Sequence, residues 1–275
     1  MDDRRDHWDV NARQWGRLGA PLRPSPADVD VVARVARERG GTATAPLRAL
    51  LLGVTPEIAT IAWPRGTRLV AVDRSADMIR GVWPRAGVPS AAEALRANWL
   101  ALPVAPGSID VAAGDACLNS LAYPAGYRAL GRELRRALAT EGRAVLRVFV
   151  QPDDRESLDG VADDLHEGRI GSFHAFKLRL LMALQETAER GVRLPDAWEA
   201  WRGLFPRPDA LAGRLGWPRD VFTTIDVYRD TDASYSFPTL DELRAALGEA
   251  LVERTREVSG YECASRCPSL VLARR

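Results

Sequence analysis

The sequence has 275 residues, of which 46% are hydrophobic and 27% are charged. This length suits one large α/β domain or a domain with an insertion, and the composition excludes a disordered chain. A net charge of +1 gives no electrostatic reason to expect nucleic acid or an anionic membrane as a partner.

The absence of targeting signals and the small number of cysteines indicate a reducing compartment. No apolar run approaches the roughly 20 residues of a transmembrane helix, and the first eight residues lack the apolar core of a signal peptide. The cysteines Cys117, Cys263 and Cys267 have no accompanying pair of zinc ligands. We therefore expect a cytoplasmic protein with free thiols and without a metal site.

Strands and helices alternate along the chain up to about residue 150. The hydrophobic pattern and the helix-start signals predict, in order, a helix over 28–39, a strand over 47–52, a helix from Thr55 to about Trp63, a strand over 69–73, a helix capped by Ser75, strands over 94–99 and 108–114, a helix over 125–139 and a strand over 143–150. This alternation predicts a parallel sheet with right-handed crossovers.

The alternation stops after residue 150 and resumes near the C-terminus. Residues 152–232 favour helices, including a long one over 172–190, with one candidate strand over 221–228. A capping-box pattern over 239–242 opens a helix, and strands over 251–258 and 269–272 are expected to pair as an antiparallel edge. The sequence thus predicts four parts: an N-terminal arm or lid over 1–25, an α/β nucleotide-binding core over 26–150, a mainly helical substrate or lid insertion over 151–236, and a C-terminal helix with edge strands over 237–275.

The turn after the first strand is typical of nucleotide binding. It reads Leu-Leu-Leu-Gly-Val-Thr-Pro-Glu over 50–57, and the next strand ends in Asp73, twenty residues after Gly53. A glycine turn lets a ligand approach the backbone, and an acid at the end of the second strand accepts hydrogen bonds from ribose hydroxyls. Thr55 and Pro56 are typical of a helix start, where the dipole favours an anion by roughly 0.3–1 kcal/mol.

The same turn argues against a dinucleotide or a polyphosphate. A dinucleotide fold needs G-x-G-x-x-G and a phosphate loop needs G-x-x-x-x-G-K-[ST], whereas Gly53 is followed by Val54. A nucleoside with a small, less charged tail, such as S-adenosylmethionine (SAM), fits these residues better. Its carboxylate would meet the amides near Thr55 and Pro56.

Five motifs in this order and spacing resemble the class I SAM-dependent methyltransferases. They are the first turn over 50–57, the strand ending in Asp73, Asn98-Trp99, Ile-Asp-Val-Ala-Ala-Gly-Asp over 109–115, and Gly-Arg-Ala-Val-Leu over 142–146. The resemblance covers about residues 45–150, and the edge strands complete it. It implies a Rossmann-like, doubly wound, mostly parallel seven-stranded sheet with an antiparallel edge. The first turn departs from the family's acidic-x-Gly-x-Gly-x-Gly pattern.

The resemblance also implies a set of cofactor-binding residues. They are Gly53, Val54, Thr55 and Pro56 for the methionine portion, Asp73 for the ribose, Arg74, Met78, Asn98 and Trp99 for the adenine, Asp115 and Cys117 for the sulfonium region, and Trp15 from an arm that would fold over the cofactor.

The methyl acceptor is expected between the cofactor and the insertion. His174 and Lys177 share a helical face, and His174 is the candidate general base for an acceptor hydroxyl or amine. A solvated or core histidine is the alternative for His174. Lys177 and Tyr235 are candidate substrate-binding residues, with a surface or ion-paired lysine and a packing aromatic as the respective alternatives.

The sequence therefore predicts a SAM-dependent methyltransferase that acts on an oxygen, nitrogen or carbon of a small molecule. We expect no nucleic acid or membrane partner, because no basic patch with interleaved aromatics is present. One alternative is a nonenzymatic SAM-binding or scaffold protein, favoured by the missing glycines and the lack of a clear base. The other is a nicotinamide-dependent oxidoreductase, disfavoured by the absent phosphate-binding glycines.

Overall fold

The computed structural model describes residues 7–41 and 45–275, so the first six residues of the N-terminal arm lie outside the described residues. The strands are β1 (Arg48–Leu52), β2 (Arg68–Asp73), β3 (Ala91–Arg96), β4 (Ile109–Asp115), β5 (Leu138–Arg147), β6 (Val192–Arg193), β7 (Ser234–Tyr235), β8 (Leu251–Glu257) and β9 (Ser269–Arg274).

The α-helices are α1 (His7–Gln14), α2 (Pro26–Arg39), α3 (Pro56–Ala59), α4 (Ala76–Val82), α5 (Ala125–Ala137), α6 (Leu158–His166), α7 (Phe173–Leu184), α8 (Leu194–Leu204), α9 (Pro208–Leu215) and α10 (Leu240–Leu247). Stretches of 3-10 helix cover Trp15–Arg17, Leu118–Ser120, Arg219–Tyr228 and Ala264–Arg266. None of the described helices combines the length and the apolarity of a membrane span.

Seven strands form one sheet in the order β3-β2-β1-β4-β5-β9-β8. The first five pair in parallel, and β9 runs antiparallel to both β5 and β8. This confirms the predicted mostly parallel seven-stranded sheet with an antiparallel edge. The strand order reverses direction between β1 and β4, and a crevice at the carboxyl ends of the strands is expected at such a point.

The leucines of β1 pack into a hydrophobic core on each face of the sheet. Leu50 and Leu52 pack with α5 and α10, whereas Leu51 packs on the opposite face with α2 and α4. All three leucines are almost completely buried. A strand covered on both sides reads as a continuous apolar run, which is the pattern that predicted β1.

The helical insertion, residues 151–236, has its own aromatic core. Phe173, Phe176 and Trp201 lie at its centre and contact one another's rings. The predicted long helix over 172–190 was too long. α7 ends at Leu184 because Gln185 leaves the helical conformation, and its side chain exchanges hydrogen bonds of 2.8 and 2.7 Å with the backbone of Phe237.

The candidate strand over 221–228 was wrong, because this segment is 3-10 helix. Its buried side chains include Phe222, Ile225 and Tyr228, which are spaced three residues apart. Residues three apart align on one side of a 3-10 helix, so this spacing buries one side of the segment.

Candidate functional site

A cavity lies at the carboxyl ends of β1, β2 and β4, where the strand order reverses. It holds about 890 Å³ of space outside the protein atoms, including its open mouth. It is lined by Trp8, Asn11, Trp15, Leu18, Leu22, Leu52, Gly53, Val54, Thr55, Asp73, Met78, Trp99, Asp115, Ala116, Cys117, Asn119, Ser120, Phe149, Lys177, Tyr228 and Tyr235. The N-terminal arm, the sheet and the helical insertion therefore contribute to one cavity.

Gly53 forms the turn at the end of β1. Its φ is +95°, a conformation that side-chain-bearing residues rarely adopt. Its N–H donates to the carbonyl oxygen of Val72 at 2.8 Å, which ties the turn to β2. A Cβ atom at this position would lie 3.9 Å from both Asp73 Oδ2 and Trp99 Cζ2, so the turn, the acid and the indole meet at one place.

Asp73 and Trp99 are held by backbone hydrogen bonds at the end of β2. Asp73 Oδ1 accepts the N–H of Ser75 at 2.8 Å, and the whole residue is buried. Trp99 Nε1 donates to the carbonyl oxygen of Val72 at 2.5 Å. The acid therefore has a fixed position beside the Gly53 turn, with an aromatic ring across from it.

The helix after this turn is shorter than the sequence predicted. α3 begins at Pro56, as expected, but ends at Ala59 instead of continuing to Trp63, and Thr55 makes no side-chain capping bond. The hydroxyl of Thr60 donates to the carbonyl oxygen of Pro56 at 2.8 Å, and the backbone of Thr60 leaves the helix. One turn of helix has only a small dipole, so the geometry gives the expected anion site little support.

Asp115 forms a buried ion pair with Arg147, a residue that the sequence analysis missed. Arg147 Nε lies 2.5 Å from Asp115 Oδ1, and the two side chains are 3% and 4% exposed. Burial by itself lowers the pKa of Arg147, but the charge and hydrogen bond of Asp115 outweigh it and raise that pKa. The sequence could have indicated this pair, because each residue ends an apolar stretch. The two residues lie opposite each other on the neighbouring parallel strands β4 and β5.

Arg147 also connects the sheet to the N-terminal arm. Its Nη1 donates to the carbonyl oxygen of Pro21 at 2.8 Å and to the hydroxyl oxygen of Tyr261 at 3.0 Å. Its guanidinium carbon lies 5.1 Å from the centre of the Phe149 ring. The pair with Asp115 therefore supports the cavity floor and part of its cover.

Two further lining residues, Asn119 and Cys117, have no reactive polar group: the amide of Asn119 is hydrogen-bonded, and the thiol of Cys117 is protonated. Asn119 Nδ2 donates to the carbonyl oxygens of Phe149 and Ser236 at 2.8 and 2.7 Å, and its Oδ1 accepts the Phe149 N–H at 3.0 Å. Burial raises the pKa of Cys117 to about 12, so its thiol stays protonated at neutral pH. Asn119, which the sequence analysis also missed, is a structural cross-link, and Cys117 is not an activated nucleophile.

The N-terminal arm contributes to the cavity lining, and Arg23 ties it to the residues that follow β1. Arg23 donates to the carbonyl oxygen of Trp15 at 3.0 Å and to Glu57 Oε1 at 2.7 Å. Its guanidinium carbon also lies 5.4 Å from the centre of the Trp15 ring. The Nε1–H of Trp15 is buried and has no acceptor among the described residues.

Lys177 lines the cavity from the helical insertion. The alternative of a surface or ion-paired lysine is wrong, because the residue is 1% exposed and no carboxylate of the described residues lies within ion-pair distance. Its Nζ donates to the carbonyl and hydroxyl oxygens of Thr224, both at 3.0 Å. Nζ also lies 5.4 Å from the centre of the Tyr228 ring. Burial lowers the pKa of Lys177 to about 7.

His174 lies on α7 and contacts the arm, outside the cavity lining. Its Nε2 donates to the carbonyl oxygen of Arg17 at 3.0 Å, and its Nδ1 is buried without a partner among the described residues. Burial, helped by the charge of Lys177, lowers the pKa of His174 to about 4. The geometry therefore supports an anchor for the arm and gives no support to a general base.

The structure brings most of the predicted site residues into the cavity lining. Those in the lining are Trp15, Gly53, Val54, Thr55, Asp73, Met78, Trp99, Asp115, Cys117, Lys177 and Tyr235. Pro56, Arg74, Asn98 and His174 are not in the lining. Arg74 and Asn98 are exposed, and Asn98 Oδ1 accepts the backbone N–H of Leu100 at 2.9 Å.

No protein-family model matches the chain, and no curated protein matches its sequence. Solved structures do match its fold. A "putative Zn-dependent alcohol dehydrogenase" from Rhodobacter sphaeroides has a TM-score of 0.62 at 13% identity, over 98% of this chain and 97% of that chain. The N-methyltransferase NodS from Bradyrhizobium japonicum, in complex with S-adenosylhomocysteine (SAH), has a TM-score of 0.52 at 13% identity, over 98% of this chain and 99% of that chain.

A third structure, a "putative O-methyltransferase" from Nostoc punctiforme, has a TM-score of 0.51 at 14% identity and is matched over 98% of this chain and 60% of that chain. At such identities the likeness shows the fold alone. Together with the strand order, it shows that this chain has a Rossmann-like fold, as these two methyltransferases do.

Proposed function

We propose that this protein is a SAM-dependent methyltransferase that acts on a small molecule. The observation that carries the proposal is the meeting of the Gly53 turn with Asp73 in one cavity, at the point where the strand order reverses. Open α/β sheets bind their ligands at this point. The SAH complex of NodS, a protein with a similar fold, supports the cofactor class.

The lining has a suitable group for each part of SAM. Asp73 is fixed beside the turn, where its carboxylate can accept hydrogen bonds from ribose hydroxyls. Met78 and Trp99 offer apolar surface for the adenine. The buried Nε1–H of Trp15, which has no acceptor among the described residues, offers a donor for the carboxylate of the methionine portion. Asp115 supplies a carboxylate near the position that we assign to the sulfonium.

The chain itself contributes alignment and exclusion of water. SAM, when bound, supplies a methyl group on a good leaving group. The core, residues 26–150, would hold the cofactor, and the N-terminal arm would close over it. The helical insertion would hold the acceptor. A cavity enclosed by these three parts favours a small molecule over a macromolecular acceptor.

Isothermal titration calorimetry with SAH and with SAM tests this proposal. We expect saturable binding of one ligand per chain, and NAD should bind far more weakly because one glycine turn cannot cradle a pyrophosphate. No binding of SAH at millimolar concentration would contradict the proposal. Tight NAD binding would favour the oxidoreductase, and SAM binding without turnover of any acceptor would favour the nonenzymatic SAM-binding protein.

A further inference from the structure

We propose that Lys177 binds an anionic oxygen of the methyl acceptor, so that the acceptor is a compact, largely apolar molecule with an acidic group such as a phenol or a carboxylic acid. This inference rests on the proposed function, because it concerns the acceptor end of the same cavity. It is carried by the charge, the hydrogen bonds and the apolar surroundings of Lys177.

The charges of the lining leave Lys177 without a counter-ion. The formally charged lining residues are Asp73, Asp115 and Lys177. Asp115 is already paired with Arg147. Within the described parts of the chain no carboxylate pairs with Lys177, and an ammonium group buried without a counter-ion is costly. An anionic ligand would supply the missing charge.

The hydrogen bonds of Lys177 leave one donor for such a ligand. An ammonium group has three N–H donors, and two of them are taken by the carbonyl and hydroxyl oxygens of Thr224. The hydroxyl of Thr224 itself donates to the carbonyl oxygen of Val221 at 2.6 Å, so it must accept from the lysine. The described residues supply no acceptor for the third N–H. The ammonium group is thus held in place with one donor remaining.

The surroundings of Lys177 define the rest of the acceptor. Phe149, Tyr228 and Tyr235 line the cavity with it, and Trp8 and Trp15 contribute from the arm. These side chains favour an apolar or aromatic body. A single cation among them suits one negative charge and not a multiply charged phosphate.

An anionic oxygen is also the acceptor that this site would favour chemically. In the transfer, an oxygen lone pair forms the bond to the methyl carbon, while the carbon–sulfur bond breaks and leaves its electron pair on sulfur. The negative charge of the oxygen and the positive charge of the sulfonium disappear together, and an apolar site favours that loss of charge. Lys177 holds its proton while the anion is bound, because a bound anion raises the pKa of a neighbouring ammonium group.

The sequence offers a direct experiment, because Lys177 is its only lysine. Protein labelled with ¹³Cε-lysine therefore gives one lysine signal by NMR. We would saturate this protein with SAH and titrate it with benzoate, with 4-cresol and with the neutral control benzamide. We expect benzoate or cresol to shift the signal and to raise the pKa of Lys177 by about one unit or more, and benzamide to do neither. If no acid moves the signal at millimolar concentration, the inference is wrong.

A variant separates this inference from the proposed function. Lys177→Met keeps the apolar stem and removes the charge, and Arg132→Met removes an exposed cation from α5 as a control. We expect Lys177→Met to weaken benzoate binding about tenfold or more and to leave SAH affinity unchanged. Weaker SAH binding with unchanged benzoate binding would place Lys177 in the cofactor site. That result would overturn this inference and leave the proposed function standing. Failure of the wild-type protein to bind SAH would overturn the proposed function.

Discussion

Asp73 is the side chain on which the proposed cofactor site depends most. We expect Asp73→Ala to weaken SAH binding by about 10- to 100-fold, because hydrogen bonds to a charged group contribute roughly 1.5–3 kcal/mol. Calorimetry measures the change. Asp77→Ala is the matched control, since Asp77 lies on α4 and pairs with Arg80 outside the cavity lining. Equal affinities for the wild-type protein and Asp73→Ala would contradict the assignment.

His174 gives the protein a predictable sensitivity to acid. Its pKa is lowered from 6.5 to about 4, so between these values the unfolded chain binds a proton that the folded chain does not. Above pH 6.5 the titration of His174 does not affect the free energy of unfolding. As the pH falls from 6.5 toward 4, protonation of the unfolded chain lowers the free energy of unfolding by up to about 1.4 kcal/mol per pH unit.

His174→Gln tests this sensitivity, because glutamine retains a donor for the carbonyl oxygen of Arg17 but does not titrate. We expect urea unfolding of this variant to lose less stability than the wild-type protein between pH 6.5 and pH 4. The control variant is His166→Gln, which replaces the exposed histidine at the end of α6. Parallel pH profiles for the wild-type protein and His174→Gln would show that the buried imidazole is not responsible.

At the scale of elements, β4 has an ion pair at each end, and the two should differ in strength. The Asp115–Arg147 pair is buried, whereas the side chains of Arg48 and Asp110 are 44% and 27% exposed. We expect Asp115→Ala to lower the free energy of unfolding by about 3–5 kcal/mol, because Arg147 would remain buried without a counter-ion. Asp110→Ala should cost about 0–1 kcal/mol. Similar losses in chemical denaturation would refute the contrast.

We expect the N-terminal arm to govern release of the proposed cofactor, since Arg23 ties it to Glu57 beside the first turn. We expect Arg23→Ala to release SAH several-fold faster and to make the arm more sensitive to protease, because a loosened cover opens more often. Stopped-flow tryptophan fluorescence and limited proteolysis measure these effects. Arg13→Ala is the control, because Arg13 pairs with Asp9 within α1. An unchanged release rate would show that the arm is not a lid.

At the scale of the whole molecule, one cavity unites three parts of the chain that are far apart in sequence. Gln14 of α1 and Lys177 of α7 both donate to the carbonyl oxygen of Thr224, at 3.4 and 3.0 Å. We therefore expect SAH to slow hydrogen exchange in α1, in the Gly53 turn and in residues 219–228 together. Mass spectrometry of the exchange would show this pattern. Protection confined to the sheet would mean that the cofactor site does not engage its cover.

The sequence predicted those features that depend on neighbouring residues. Within the predicted strand over 47–52, the apolar residues 49–52 required burial on both faces, and Gly53 supplied the positive φ of the turn. Ser75 caps α4 and the box of Thr239 with Glu242 caps α10, as their patterns indicated. Each of these signals acts within a few residues, so one sequence is enough to detect it.

Only the tertiary structure decided which polar side chains meet. His174 and Lys177 lie three residues apart on α7, yet His174 contacts the arm and Lys177 lines the cavity. Arg147 reaches Asp115 across neighbouring strands and Pro21 across 126 residues of sequence. Local patterns carry no information about such contacts, because they depend on how the arm and the insertion pack against the sheet. The sequence by itself thus determined the sheet and the glycine turn after its first strand, and long-range packing decided which side chains surround the cavity.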